Sequence, residues 1–238
     1  MSERVHESPR GIVYSDFDGT AVQLPQDLTE RMTKHGLEPQ PGFKAFLAGM
    51  ADSGVDFGGF ISKRPAWLRK RATQKSITNE LGMDPLTRRT LAGEGIQWWK
   101  HEGQKARVLL DKVHGSGNKR VGFIDDKPHR IGHELMMLMI DELHGHPETA
   151  QPVHITLGVV ASEHALEYME RFALVHDHSR EVADVDGRFR TTGVVRLPGR
   201  ESTLSIVGLQ PYTFAEGQWF AQEILGTHPA DTTPPQAA

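Results

Sequence analysis

The sequence predicts an α/β fold: a Rossmann-like parallel sheet flanked by helices, followed by a C-terminal β-hairpin and helix. Three observations predict it. Short runs of β-branched and aromatic residues alternate with longer stretches of helical period over residues 11–174, the pattern of βαβ units. Several of those runs end in a polar or acidic residue, as strands do where ligands bind at a sheet's carboxyl edge. From Val182 the alternation gives way to two strand-like runs around Pro198-Gly199-Arg200.

The elements follow in order. Ile12, Val13 and Tyr14, bounded by Pro9-Arg10-Gly11 and by Gly19, read as a short buried strand. Residues 23–40 are polar, with Pro25, Gly36 and Pro39, and read as loop with at most a short helix. Phe43, Phe46, Leu47 and Met50 recur at helical spacing between Pro41 and Ser53, and Gly54 stops that helix. Val55 to Ile61 is a second strand, weakened by Gly58 and Gly59. Pro65 suits the first turn of a helix carrying Trp67, Leu68, Ala72, Ile77 and Leu81. Thr87 to Ala92 reads as a third strand.

Helix resumes near Gln104, with Ala106, Val108, Leu109, Leu110 and Val113 inside it, and Gly115 to Asn118 is a turn. Arg120 to Ile124 is a fourth strand that runs into Asp125-Asp126. Pro128 to Leu143 is an amphipathic helix whose Met136, Met137 and Met139 are read as core. Pro152 to Val160 is a fifth strand, and Glu163 to Leu174 another helix. Gly187 to Leu197 and Thr203 to Leu209 form the hairpin, and Phe214 to Leu225 the last helix. The Pro-, Thr- and Ala-rich stretch from Thr227 is expected to be disordered. The domain reading is therefore an α/β core over 1–180, an extension packed on it over 181–226, and a tail over 227–238.

Composition narrows the chemistry. The chain has 238 residues and a formal net charge of −4, a balance that does not suggest a nucleic-acid surface. It has no cysteine, so disulfides, thiolate metal sites and cysteine nucleophiles are excluded. The first residues, Met1 to Pro9, carry no apolar core of a secretory signal, and no apolar run approaches a membrane span. The expected location is the cytoplasm. The thirteen histidines raise a zinc reading, with His144 and His146 or His176 and His178 as candidates. They lack the spacing of a zinc-binding helix and are read as surface residues. Trp98-Trp99 is read as packing.

The chemistry concentrates at strand ends. Asp16 and Asp18 lie just past the first strand, Ser62 ends the second, and Asp125 and Asp126 end the fourth. Carboxylates that close repel unless they share a proton or a cation. A carboxylate can attack phosphorus, a second can protonate the leaving oxygen, and a hydroxyl and an ammonium can hold phosphate oxygens. Hard carboxylate oxygens suit Mg²⁺. Each part also has a plain structural use. Asp18-Gly19 alone is a turn, Ser62 can cap the helix before Pro65, and Asp125-Asp126 can cap the helix at Pro128. Lys105 and Lys112 are ordinary solvated helix lysines unless the fold brings one to the site.

The order of these parts resembles the haloacid dehalogenase (HAD) superfamily. Asp16-Phe-Asp18-Gly-Thr20 is similar to its first motif, Ser62 to its second, Lys105 to its third, and Gly122-Phe-Ile-Asp125-Asp126 to its fourth. The motifs cover Asp16 to Asp126, about half the chain. The resemblance implies a HAD-like phosphatase that cleaves a phosphate monoester through an aspartyl-phosphate intermediate. It implies Asp16 as nucleophile and metal ligand, and Asp18 as general acid/base with its backbone carbonyl on the metal. Ser62 and Lys105 would bind the phosphoryl group. Asp125 would ligate Mg²⁺ directly, and Asp126 directly or through water.

The pattern departs from the family in places. Lys112 competes with Lys105, and His129 and Arg130 stand where a further carboxylate is usual. The gaps between motifs are short, which implies an open or minimally capped site. The expected partner is a phosphorylated substrate of unnamed class, with no membrane; polynucleotide ends are the one nucleic-acid substrate kept in view. Two other functions are weighed. A phospho-acceptor regulatory domain also pairs acids with Ser and Lys, but there the acid pair precedes the acceptor. A non-catalytic HAD-like binding protein would be expected to lose motif residues, and here every position is filled.

Overall fold

The computed structural model describes residues 11–17, 19–23, 39–62, 96–98, 102–117, 120–126, 128–145, 151–160, 183–185, 188–197 and 200–227. In chain order they form β1 (Gly11–Ser15), α1 (Phe43–Asp52), β2 (Val55–Ser62), β3 (Ile96–Trp98), α2 (Glu102–Ser116) and β4 (Arg120–Asp125). Then come α3 (Pro128–Gly145), β5 (His154–Val160), β6 (Ala183–Val185), β7 (Arg188–Leu197), β8 (Arg200–Leu209) and α4 (Phe214–Leu225). The expected helix from Pro65, the strand at Thr87 to Ala92, the helix at Glu163 to Leu174 and the tail beyond Thr227 lie outside the described residues. So do 24–38 and 63–95, the stretches in which a cap would be sought.

One eight-stranded sheet runs in the order β3-β2-β1-β4-β5-β8-β7-β6. The strands from β3 to β5 are all parallel to their neighbours, and β8 joins β5 in parallel as well. β7 and β6 then close that end antiparallel. This is the α/β, Rossmann-like sheet flanked by helices that the alternating pattern predicts. The hairpin is placed inside the sheet: its second strand pairs with β5 from His154↔Thr203 to Val160↔Leu209. Four differences from the expected elements are local. β3 at Ile96–Trp98 and β6 are additional short strands, and β8 begins at Arg200, which pairs with Leu197. α2 continues through Gly115 to Ser116, and Gly117, at φ 64°, stands just past its end.

Helices cover both faces of the parallel part of the sheet, which is why β1, β4 and β5 are nearly continuous apolar runs. On one face α2 and α3 lay Leu109, Leu110, Val113, Leu135 and Met139 against Tyr14, Phe123, Ile155, Leu157 and Ile206. On the other, α1 and α4 lay Phe43, Phe46, Met50, Phe220 and Ile224 against Val13, Phe60, Ile124 and Val207. Adjacent residues such as Val13 and Tyr14, or Phe123 and Ile124, therefore serve opposite faces, as the strand period of two requires. Met136 and Met139 are core as expected, but Met137 is 45% exposed because it falls on the outer side of α3.

Glycines set two close approaches. A Cβ on Gly49 would lie 2.0 Å from the Phe214 carbonyl oxygen, and one on Gly217 would lie 2.0 Å from that of Phe46. α1 and α4 thus meet backbone to backbone. In β2, Gly58 leaves room for the Tyr14 ring, whose Cε1 would stand 2.5 Å from an added Cβ. The β1–β2 register slips there, from Val13↔Phe57 to Tyr14↔Gly59. What composition reads as weakening is a bulge that fits one aromatic ring.

Candidate phosphoryl-transfer site

The strand order places a switch point between β1 and β4. From β1 the chain proceeds outward through β2 and β3, and from β4 it proceeds the other way through β5. Ligands of open α/β sheets bind beyond the carboxyl ends at such a point. β1 ends in Ser15 and β4 in Asp125. Ser15 is paired with Ile124, and the Asp16 amide donates to the Ile124 carbonyl at 2.8 Å. The two acids therefore leave neighbouring strands at one level.

Tight turns hold the loop after Asp16. The Phe17 carbonyl accepts from the Ala21 and Val22 amides, the Gly19 amide donates to the Val22 carbonyl, and Gln40 Nε2 donates to the Gly19 carbonyl at 3.2 Å. Gly19 has φ 80°, the left-handed conformation that favours glycine. Thr20 is fully buried, and its Oγ1 has no partner.

Lys105 reaches this edge from the first turn of α2. Helical side chains lean toward the N-terminus, here toward the strand ends. Its Nζ lies 3.0 Å from Asp16 Oδ2 and 2.9 Å from Asp125 Oδ2. All three residues are buried, at 6, 7 and 2% exposure for Lys105, Asp16 and Asp125. A lysine in the first turn opposes the helix dipole, and a buried one must be paired. Lys112 lies on the same face, seven residues on, but about 10.5 Å farther along the axis. The competition between the two lysines is thus decided by axial position, and the described geometry brings Lys105 to the acids.

Asp126 follows on the loop, half-buried, and the carboxylates of Asp16, Asp125 and Asp126 offer oxygens all within 4.8 Å of one another. Among the described residues this is the one group of three acids or histidines able to share a metal ion. Of the histidines weighed for zinc, His144 is exposed near the end of α3, and His146, His176 and His178 lie outside the described residues. Burial pushes the Asp16 carboxyl up to about 7; Lys105 opposes that rise and Asp125 adds to it. Burial works against the Lys105 charge, but Asp16 and Asp125 outweigh it and hold the ammonium above its usual range.

The donor set fits a hard divalent cation. It is all carboxylate oxygen, and Asp16 Oδ1 is buried with no partner. With Lys105 counted, three ionised carboxylates leave two negative charges, which one such ion would balance. Ser62 ends β2 next to β1, so its backbone shares this edge; its side chain is not described. Asp18 lies outside the described residues.

The sequence reading missed one residue. Tyr212, in the turn between β8 and α4, is 8% exposed, and its hydroxyl has no partner. Burial raises its pKa, and the negative fields of Asp126 and then Asp125 raise it further, so the phenol stays protonated beside the acids. The available signal is positional: Gly208 aligns with Val159, and Val159 with Asp125, so the end of β8 meets the same edge.

No family model, curated protein or solved structure matches this chain. Among the described residues no helix is long and apolar enough to cross a membrane.

Proposed function

We propose that this chain is a Mg²⁺-dependent phosphohydrolase of the HAD type that cleaves a phosphate monoester through a phosphorylated Asp16. The observation that carries this reading is the buried Asp16–Lys105–Asp125 ion triad at the switch point, with one Asp16 oxygen left unpaired. A stability role alone explains such a cluster poorly, because burying charge costs more than an apolar replacement would.

In the reaction, the Asp16 carboxylate attacks phosphorus and the bond to the leaving alcohol oxygen breaks. Asp18 gives its proton to that oxygen. Water then loses a proton to Asp18 and attacks the acyl phosphate, releasing inorganic phosphate and restoring the Asp16 carboxylate. Lys105 stands beside the nucleophile, where its ammonium offsets charge on the transferring phosphoryl oxygens. Ser62 is assigned a hydrogen bond to the same oxygens. Mg²⁺ held by Asp16, Asp125 and Asp126, with the Asp18 carbonyl, would neutralise phosphate charge and keep Asp16 ionised.

The test is phosphate release from sugar phosphates, nucleotides, phosphopeptides and polynucleotide ends, with and without Mg²⁺, followed by trapping and mass mapping of the phosphorylated residue. Phosphate on Asp16 is the expected result. A phosphoenzyme that forms but never turns over would favour the regulatory phospho-acceptor. Neither phosphorylation nor release would favour a binding protein.

A further inference from the structure

We infer that Tyr212 belongs to the site as a positioning residue: its hydroxyl oxygen accepts a hydrogen bond from a water carried by the cation that Asp16, Asp125 and Asp126 hold. The inference rests on the metal reading above and extends it to the C-terminal segment, which none of the sequence motifs covers.

The argument starts from an unmet need. A hydroxyl withdrawn from water costs free energy unless it is hydrogen-bonded, and almost all buried ones are. Tyr212 has its hydroxyl buried and unpartnered, and it follows by three residues the end of β8, which lies at the same sheet edge as Asp125; the negative charges of Asp126 and Asp125 add to the rise of its pKa. Mg²⁺ keeps several of its waters, and these point their hydrogens outward toward acceptors. A neutral phenol oxygen is such an acceptor and adds no further negative charge.

The turn carrying Tyr212 is built to hold it still. Thr213 Oγ1 accepts from the Glu216 amide at 3.0 Å, and Glu216 Oε1 accepts from the Gln210 amide at 2.8 Å. Together they clamp residues 210–216 at the start of α4. A Cβ on Gly42 would lie 1.9 Å from the Tyr212 carbonyl oxygen, so the start of α1 seats the Tyr212 backbone. The ring lies 4.9 Å from the Phe46 ring and 5.2 Å from the Phe43 ring, centroid to centroid. These contacts involve the ring and backbone, so they leave the hydroxyl unexplained.

Partners that orient a metal's ligands typically change metal affinity ten- to hundredfold when removed, so Tyr212→Phe should weaken the Mg²⁺ Kd about tenfold by calorimetry on the full chain. The melting temperature without Mg²⁺ should hold or rise slightly, because Phe keeps every ring contact. The rise in melting temperature on adding Mg²⁺ should shrink in parallel. An unchanged Mg²⁺ Kd in Tyr212→Phe, beside a wild type that binds, would overturn this role and leave the metal site standing. A wild type that binds no Mg²⁺ would overturn the metal reading itself, and this inference with it.

Discussion

Lys105 Nζ stands 3.0 Å from Asp16 Oδ2, an ion pair in which both side chains are withdrawn from water. The same ammonium lies 2.9 Å from Asp125 Oδ2, so one cation spans the ends of two neighbouring strands. Removing one partner of a buried pair leaves the other charge uncompensated. Lys105→Met should therefore cost about 3–5 kcal/mol in urea unfolding without metal. Lys112→Met, on a half-buried position away from the acids, should change stability by about 0.5 kcal/mol or less. Equal effects of the two would contradict the assignment of Lys105.

Asp125 is the more deeply buried of the paired acids, and Asp126 is half-buried. Asp125→Asn should weaken Mg²⁺ binding at least as much as the loss of a supporting residue does, about tenfold or more, and Asp126→Asn less. Calorimetry checks the order, and the reverse order would exchange their roles. Saturating Mg²⁺, at about a hundred times its Kd, should add about 2.7 kcal/mol to wild-type stability. Full activity in excess chelator would sink the metal requirement.

Nucleophile and acid are separable by leaving group. Asp16→Asn should abolish both turnover and the trapped phosphoenzyme. Asp18→Asn should lower turnover of alkyl phosphates by about 10²–10⁴, the usual contribution of a proton-transfer group. Aryl phosphates need little protonation as they leave, so the first step should survive better and the phosphoenzyme should accumulate. Phosphate found on Asp18 or Ser62 would overturn the order of events.

His154 offers a pH test away from the site. Burial lowers its pKa below the ordinary 6.5, the Arg120 charge lowers it further, and Glu201 partly opposes them. Its Nδ1 is 2.8 Å from Thr203 Oγ1 across the β5–β8 pair. The unfolded chain therefore binds this proton more readily than the folded one. The contribution is present above pH 6.5 and is lost as pH falls through the folded value. His154→Gln should be less acid-sensitive than the wild type in urea unfolding between pH 7 and 5, a range set by the histidine pKa. Parallel curves for the two proteins would refute the effect.

Much of the fold was legible because period and punctuation agree. Phe43, Phe46 and Met50 at helical spacing, closed by Gly54 at φ 82°, became α1, and Phe214 to Leu225 became α4 with the expected bounds. The acids were legible as strand-end residues because Asp125 directly follows an apolar run and Asp16 follows one after Ser15 alone. Other features were not. Three consecutive-looking methionines differ in burial because a helix turns Met137 away from the core. Gly58 looked like weakness, since the Tyr14 ring that needs the space lies on a different strand.

By itself the sequence determined the local terms: which segments are strands or helices, where they stop, and that acids stand at strand ends. Those terms depend on neighbours within a few residues, and the chain carries them openly. Tertiary structure alone decided the pairings. Lys105 and Lys112 share a helix face, and only the docking of α2 on the sheet sets which one reaches the acids. Tyr212 entered the site only because β8 pairs in parallel with β5, which brings the end of a hairpin strand to the edge holding Asp125. A hairpin's own residues specify its partner within the turn. They do not specify which distant strand its outer edge will meet, because that choice is made by the burial of both sheet faces at once.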